Sequence, residues 1–107
     1  MDLDFRTTED LSPPQQLLAL EMAEALWEAM EAARKERIMT CLAVESMIAA
    51  EVSEIASNPE AAGLRAEEVP SNEREKAAMQ NLVLQRILEK RRAKGGYVGW
   101  QSYKSMK

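Results

Sequence analysis

The side chains that could do chemistry in this sequence are its carboxylates and one cysteine, because its 107 residues include no histidine. Histidine is the commonest general base and a frequent metal ligand. Cys41 lies on an apolar helix face with no base beside it, so we interpret it as a buried structural thiol. The sequence contains no CxxC pair, no phosphate-binding glycine loop and no GxSxG.

Four glutamates have the i, i+3, i+7, i+10 spacing of one helix face: Glu21, Glu24, Glu28 and Glu31. Di-metal sites in helical bundles combine such glutamates with Glu-x-x-His pairs. No histidine is available here, and the four glutamates lie opposite the apolar face, so we expect a solvated surface. We therefore predict no catalytic residue, no metal and no cofactor, and we expect that the chain is not an enzyme.

A basic and aromatic segment near the C-terminal end is the strongest candidate for contact with an anionic partner. Residues 1–33 hold eight acids and one base, whereas residues 71–107 hold three acids and nine bases. Basic side chains neutralise phosphates, and aromatic rings stack on unpaired bases. The same side chains could instead pair with the acidic body of the chain or dock on a protein partner. The candidates are Arg86, Lys90, Arg91, Arg92, Lys94, Tyr97, Trp100 and Tyr103.

A 44-residue amphipathic stretch from Pro13 to Ala56, with no glycine and no proline after Pro14, contains Cys41 and the four glutamates. Ser12 and Gln15 have the spacing of a capping box at its start. Asn58-Pro59 is expected to end it. The apolar positions keep one helical phase across the charged residues 34–37, so we favour a single continuous helix. The alternative is a chain that folds back near residues 34–37 into a monomeric three-helix bundle.

A second helix is predicted from about Glu73 to Ala93, with Asn72 as its cap and Gly95-Gly96 as its stop. The predicted fold class is all-α: one long amphipathic helix, a shorter second helix and an aromatic C-terminal tail. We divide the chain into an extended arm at 1–11, a helical domain at 12–94 and a basic-aromatic tail at 95–107.

The length of the predicted first helix favours a dimer. At 1.5 Å per residue the first helix would be about 66 Å long and the second about 32 Å. The second could cover only half of the first, and monomers rarely leave such an apolar face exposed. We therefore predict a dimeric helical bundle, in which Arg34 pairs with a carboxylate or extends to solvent. The predicted interface consists of Leu26, Trp27, Met30, Arg34, Ile38, Cys41, Val44 and Ile48.

The predicted function is that of a small non-enzymatic protein-interaction module, such as an adaptor, inhibitor or regulatory subunit. The alternative is a nucleic-acid-binding regulator with an acidic dimerising body and a basic C-terminal segment. A single cysteine and the lack of a signal-peptide pattern favour the cytoplasm. No segment has the roughly 20 apolar residues of a membrane helix, so we expect no membrane partner.

Overall fold

The chain folds into three α-helices in a computed structural model that describes residues 10–94. The helices are α1 (Pro13–Ala32), α2 (Cys41–Ser57) and α3 (Glu73–Lys94). A 3-10 turn at Ala66–Glu68 lies in the connector between α2 and α3. No strand occurs between residues 10 and 94, so the all-α prediction is confirmed. Residues 1–9 of the predicted arm and the whole predicted tail lie outside the described residues.

The prediction of one continuous helix from Pro13 to Ala56 was wrong. The helix stops at Ala32, and the chain reverses through residues 33–40 before α2 begins. Arg34 adopts the left-handed conformation, with φ of 59°. The Arg34 N–H donates to the Glu31 carbonyl at 3.0 Å, and the Lys35 N–H donates to the Met30 carbonyl at 2.8 Å. These two bonds form the capping motif that commonly ends helices with glycine at the left-handed position.

Burial explains why the chain reverses without a glycine. A left-handed non-glycine residue costs about 1–2 kcal/mol. In return, the reversal brings the apolar face of α2 onto the same core as α1, and burial of each large aliphatic side chain stabilises the fold by about 1.5–3 kcal/mol. The preserved helical phase was misleading, because α1 and α2 each turn their apolar face towards α3, as one continuous helix would. Thr40 caps α2 by accepting a hydrogen bond from the Ala43 N–H at 3.1 Å.

The third helix lies at the centre of the fold and packs against both α1 and α2. Side-chain contacts join the starts of α1 and α3 through Gln15 and Glu75, and their ends through Glu31 and Lys94. These contacts show that α1 and α3 run parallel. The helix α2 runs antiparallel to both. Every residue of α3 from Ala78 to Leu88 is buried or half-buried. The largest fully buried side chains are Val44, Ile48, Val52, Met79, Val83 and Ile87.

The predicted caps at the two parallel helix starts are confirmed. Ser12 and Gln15 form the capping box of α1, and the Gln15 amide also donates to the Val69 carbonyl at 3.1 Å and to Glu75 at 3.0 Å. Asn72 accepts from the Glu75 N–H at 2.8 Å at the start of α3. Gln15 therefore fixes the register of α1 against α3, a second role that the capping pattern does not predict.

Candidate functional site

The chain reversal between α1 and α2 exposes two large aliphatic side chains. Ile38 is 67% exposed and Leu42 is 73% exposed, and both follow the left-handed residue that turns the chain. The backbone N–H groups of Ile38 and Met39 both donate to the Lys35 carbonyl at 3.1 Å, and these hydrogen bonds order residues 35–39. Three exposed basic side chains flank the pair. We call this region the turn surface: Arg34, Lys35, Arg37, Ile38 and Leu42.

Arg91 supports the turn surface from inside the fold. Its side chain is only 3% exposed, although arginine is seldom buried without partners. Its Nε donates to the Glu36 carbonyl at 2.9 Å, and its Nη2 donates to the Met39 carbonyl at 3.0 Å. Burial lowers the pKa of the Arg91 guanidinium from its ordinary value. A charged donor thus fixes two carbonyls of the reversal, on either side of Ile38.

Lys94 adds a second link between α3 and the reversal. Its ammonium donates to Glu36 at 2.7 Å and to Glu31 at 3.0 Å. The hydrogen bond from Lys94 lowers the pKa of the Glu36 carboxyl, and the bonds to Glu36 and Glu31 raise the pKa of Lys94. Because Arg91 and Lys94 both reach the turn, the end of α3 determines the geometry of this surface.

A second exposed apolar pair lies on α1 near its start. Leu17 is 59% exposed and Leu20 is 38% exposed, and the exposed carboxylates of Glu21 and Glu28 lie on the same side of the helix. We call these four residues the acidic face. All four glutamates of the expected solvated row remain accessible to solvent, and two of them, Glu24 and Glu31, also form ion pairs with α3. Lys90 lies 2.8 Å from Glu24 and Arg86 lies 3.6 Å from it.

The structure divides the predicted interface residues into two groups. Trp27, Met30, Val44 and Ile48 belong to the core of this chain, so an intrachain role explains their apolar character. Leu26 and Cys41 are half-buried, whereas Arg34 and Ile38 are exposed. Of the eight, Arg34 and Ile38 are the two exposed residues of the chain reversal. Leu42 was not predicted, although it directly follows Cys41 at the start of α2.

Five of the eight predicted anion-binding residues are described by the structure, and four of these five have partners within the chain. Arg86, Lys90 and Lys94 form ion pairs with glutamates, and Arg91 is buried. Arg92 is exposed. Tyr97, Trp100 and Tyr103 lie outside the described residues. Of the two interpretations of the charge asymmetry, the one observed for residues 86–94 is pairing with the acidic α1 helix and the turn that follows it.

The role of Arg91 was missed in the sequence, although a signal for it exists. Arg91 lies four residues after Ile87 and seven after Leu84, which places it on the buried stripe of α3. An arginine on such a stripe needs buried acceptors, and the carbonyls of a nearby chain reversal provide them. The net positive charge of residues 86–94 does not reveal that Arg91 is buried while Arg92 and Lys94 are exposed.

Cys41 has the character of a protonated thiol. Its Sγ donates to Glu45 Oε2 at 3.1 Å. Burial is the larger cause, and the neighbouring Glu45 the smaller, of a pKa that is raised to about 11 for Cys41. A thiolate, not a thiol, is the nucleophilic form.

Among residues 10–94 no group of three potential ligands is arranged to hold a metal ion. A depression of about 180 Å³ between α2 and α3 is lined by Glu45, Ile48, Gln80, Asn81 and Leu84.

No protein-family model, curated protein or solved structure matches this chain. No helix within residues 10–94 is long and apolar enough to cross a membrane. The turn surface and the acidic face, with their opposite charges, are the features of this chain that bear on its function.

Proposed function

We propose that this chain is a small non-enzymatic protein-interaction module, such as an adaptor, inhibitor or regulatory subunit. It acts by burying the turn surface, together with residues 95–107, against a protein partner. The first partner that we expect is a second copy of the chain. We also propose a reducing compartment such as the cytoplasm, because the single cysteine in this sequence leaves no internal disulfide.

The observation that carries this proposal is the exposure of Ile38 and Leu42 on an ordered turn. Isolated exposed aliphatic side chains are common on monomers. These two lie within five residues of each other on backbone that the buried Arg91 holds in place. A rigid apolar contact loses less conformational entropy on association than a mobile one, which favours binding.

Sedimentation equilibrium of the purified chain tests the proposal. We expect the wild type to self-associate, and we expect the double variant Ile38→Ser/Leu42→Ser to remain at 12.0 kDa. The matched control is Ala61→Ser/Ala62→Ser, which changes two exposed residues of the connector. Association that is equally strong in the turn variant and the control would contradict a role for the turn surface.

A nucleic-acid-binding regulator is the second candidate, and one observation favours it. Exposed Arg34, Lys35 and Arg37 lie at the same end of the molecule as exposed Arg92, where the predicted tail begins. Fluorescence anisotropy with a single-stranded oligonucleotide separates the two candidates. Phosphate-driven binding must weaken steeply between about 50 mM and about 200 mM salt. Association driven by apolar contact changes much less over that range.

A further inference from the structure

The four large hydrophobic side chains that are exposed in the described part of the chain form two pairs with neighbours of opposite charge. Ile38 and Leu42 lie beside arginine and lysine on the turn surface. Leu17 and Leu20 lie beside glutamate on the acidic face. An apolar pair with a basic border and an apolar pair with an acidic border are complementary in both hydrophobicity and charge.

We propose that the turn surface of one copy docks on the acidic face of a second copy. This inference rests on the proposed function and identifies its partner surface. Lys35 and Arg37 would face Glu21 and Glu28 across the contact, while Ile38 and Leu42 cover Leu17 and Leu20.

One chain cannot make this contact with itself. Leu17 and Leu20 lie near the start of α1, and the turn surface begins beyond its last residue, Ala32. At 1.5 Å per residue this apolar pair is separated from the turn surface by roughly 20 Å along the helix axis. A second copy placed antiparallel to the first satisfies both surfaces of both chains. The two contacts are then related by a twofold axis, so the assembly closes as a dimer.

The ionic borders make the contact specific. Glu24 and Glu31 are already paired with α3, whereas Glu21 and Glu28 are exposed on the same helix. Reversing the charge of either border would place like charges together. We expect that change to weaken association on the order of 100-fold, because like-charge contacts at interfaces cost several kcal/mol.

A charge-swap experiment tests the inference. The turn variant is Lys35→Glu/Arg37→Glu, and the face variant is Glu21→Lys/Glu28→Lys. Each alone places like charges at both contacts of a twofold dimer, so each is expected to sediment as a monomer. A 1:1 mixture restores opposite charges at both contacts, and we expect it to sediment at about twice 12.0 kDa. The control Glu51→Lys/Glu54→Lys reverses two exposed acids on α2 and is expected to dimerise like the wild type.

The outcomes separate this inference from the proposed function. Recovery of the dimer only in the mixture supports the inference. A wild-type dimer that the turn variant loses but the face variant keeps would overturn the acidic face as the partner surface and leave the turn surface as the site of interaction. A mixture that stays monomeric while the wild type dimerises would also overturn the inference. A wild type that is monomeric at all concentrations would overturn both self-association and the proposed docking.

Discussion

At the scale of single residues, Arg91 shows how one buried charge can hold a surface feature in place. Its guanidinium donates to the carbonyls of Glu36 and Met39, which lie between α1 and α2, outside any helix. Hydrogen bonds from charged groups contribute more than neutral ones, and buried acceptors left unpaired are costly. The position of Ile38 between the two carbonyls links this bonding to the proposed contact.

Replacing Arg91 therefore tests the support of the turn. We expect Arg91→Met to keep the aliphatic packing but lower the free energy of unfolding by about 2 kcal/mol, because both carbonyls lose their donor. The control Arg92→Met removes an exposed charge and should change stability by less than about 0.5 kcal/mol. Urea unfolding followed by circular dichroism measures both. Equal effects of the two variants would contradict the buried role of Arg91.

Cys41 gives a second prediction at the residue scale. Its thiol is neutral in the fold, and its pKa is raised to about 11, first by burial and then by Glu45. The unfolded chain releases this proton at a lower pH than the folded chain does, so stability should fall as pH rises from about 9 towards 11. Thiolate absorbance during a pH titration should show a lower pKa in Glu45→Gln. An ordinary cysteine pKa in the folded wild type would contradict the observed environment.

Residue patterns predicted some local features and missed others for physical reasons. The Ser12–Gln15 box and the Asn72 cap were recognisable because capping depends on residues three positions apart. The contacts of Arg91 and Gln15 join residues more than 50 positions apart, so they depend on the tertiary fold. Local spacing alone could not identify their partners.

At the scale of the helices, ion pairs between α1 and α3 help to fix their parallel arrangement. Glu24 forms ion pairs with both Lys90 and Arg86. The hydrogen bond from Lys90 is the main cause of the lowered pKa of the Glu24 carboxyl. The opposite net charges of the two ends of the sequence therefore have a structural consequence, since they favour this alignment of α1 and α3.

The Glu24 pair predicts a specific pH dependence. A carboxyl with a lowered pKa contributes stability above its ordinary value of 4.5, and this contribution is lost as pH falls through the folded pKa. We therefore expect Glu24→Gln to unfold at a lower urea concentration than Glu28→Gln at pH 7. The difference should shrink below pH 4.5. A difference that persists unchanged in acid would show that charge pairing is not its source.

Helix boundaries followed from the sequence where a strong breaker was present. Asn58 ends α2 as expected, and α3 starts at Glu73 as expected. The end of α1 was missed because Arg34 takes a conformation that glycine usually supplies, while Thr40 caps α2 without a full capping box. At the end of α1 and at the start of α2, packing against α3 outweighs the weak local sequence preference for a helix boundary.

At the scale of the whole molecule, the reversal changes the reason to expect a partner. A continuous first helix would have left half of its apolar face uncovered. In the three-helix fold, the apolar residues of α1 and α2 are covered by α3, and two small exposed pairs remain. The class of fold followed from composition and periodicity, but the topology did not, because helical phase is the same for one long helix and for two helices facing one core.

The measurement that bears most directly on this topology is a comparison of Arg34→Gly with Arg34→Ala by urea unfolding. Both variants remove the same side chain, so their difference reports backbone conformation. At the left-handed position observed here, with φ of 59°, we expect the glycine variant to be more stable than the alanine variant by about 1 kcal/mol. If residue 34 were inside a continuous helix, the glycine variant would be less stable by about 1 kcal/mol. That opposite sign would contradict the chain reversal and, with it, the turn surface proposed as the site of interaction.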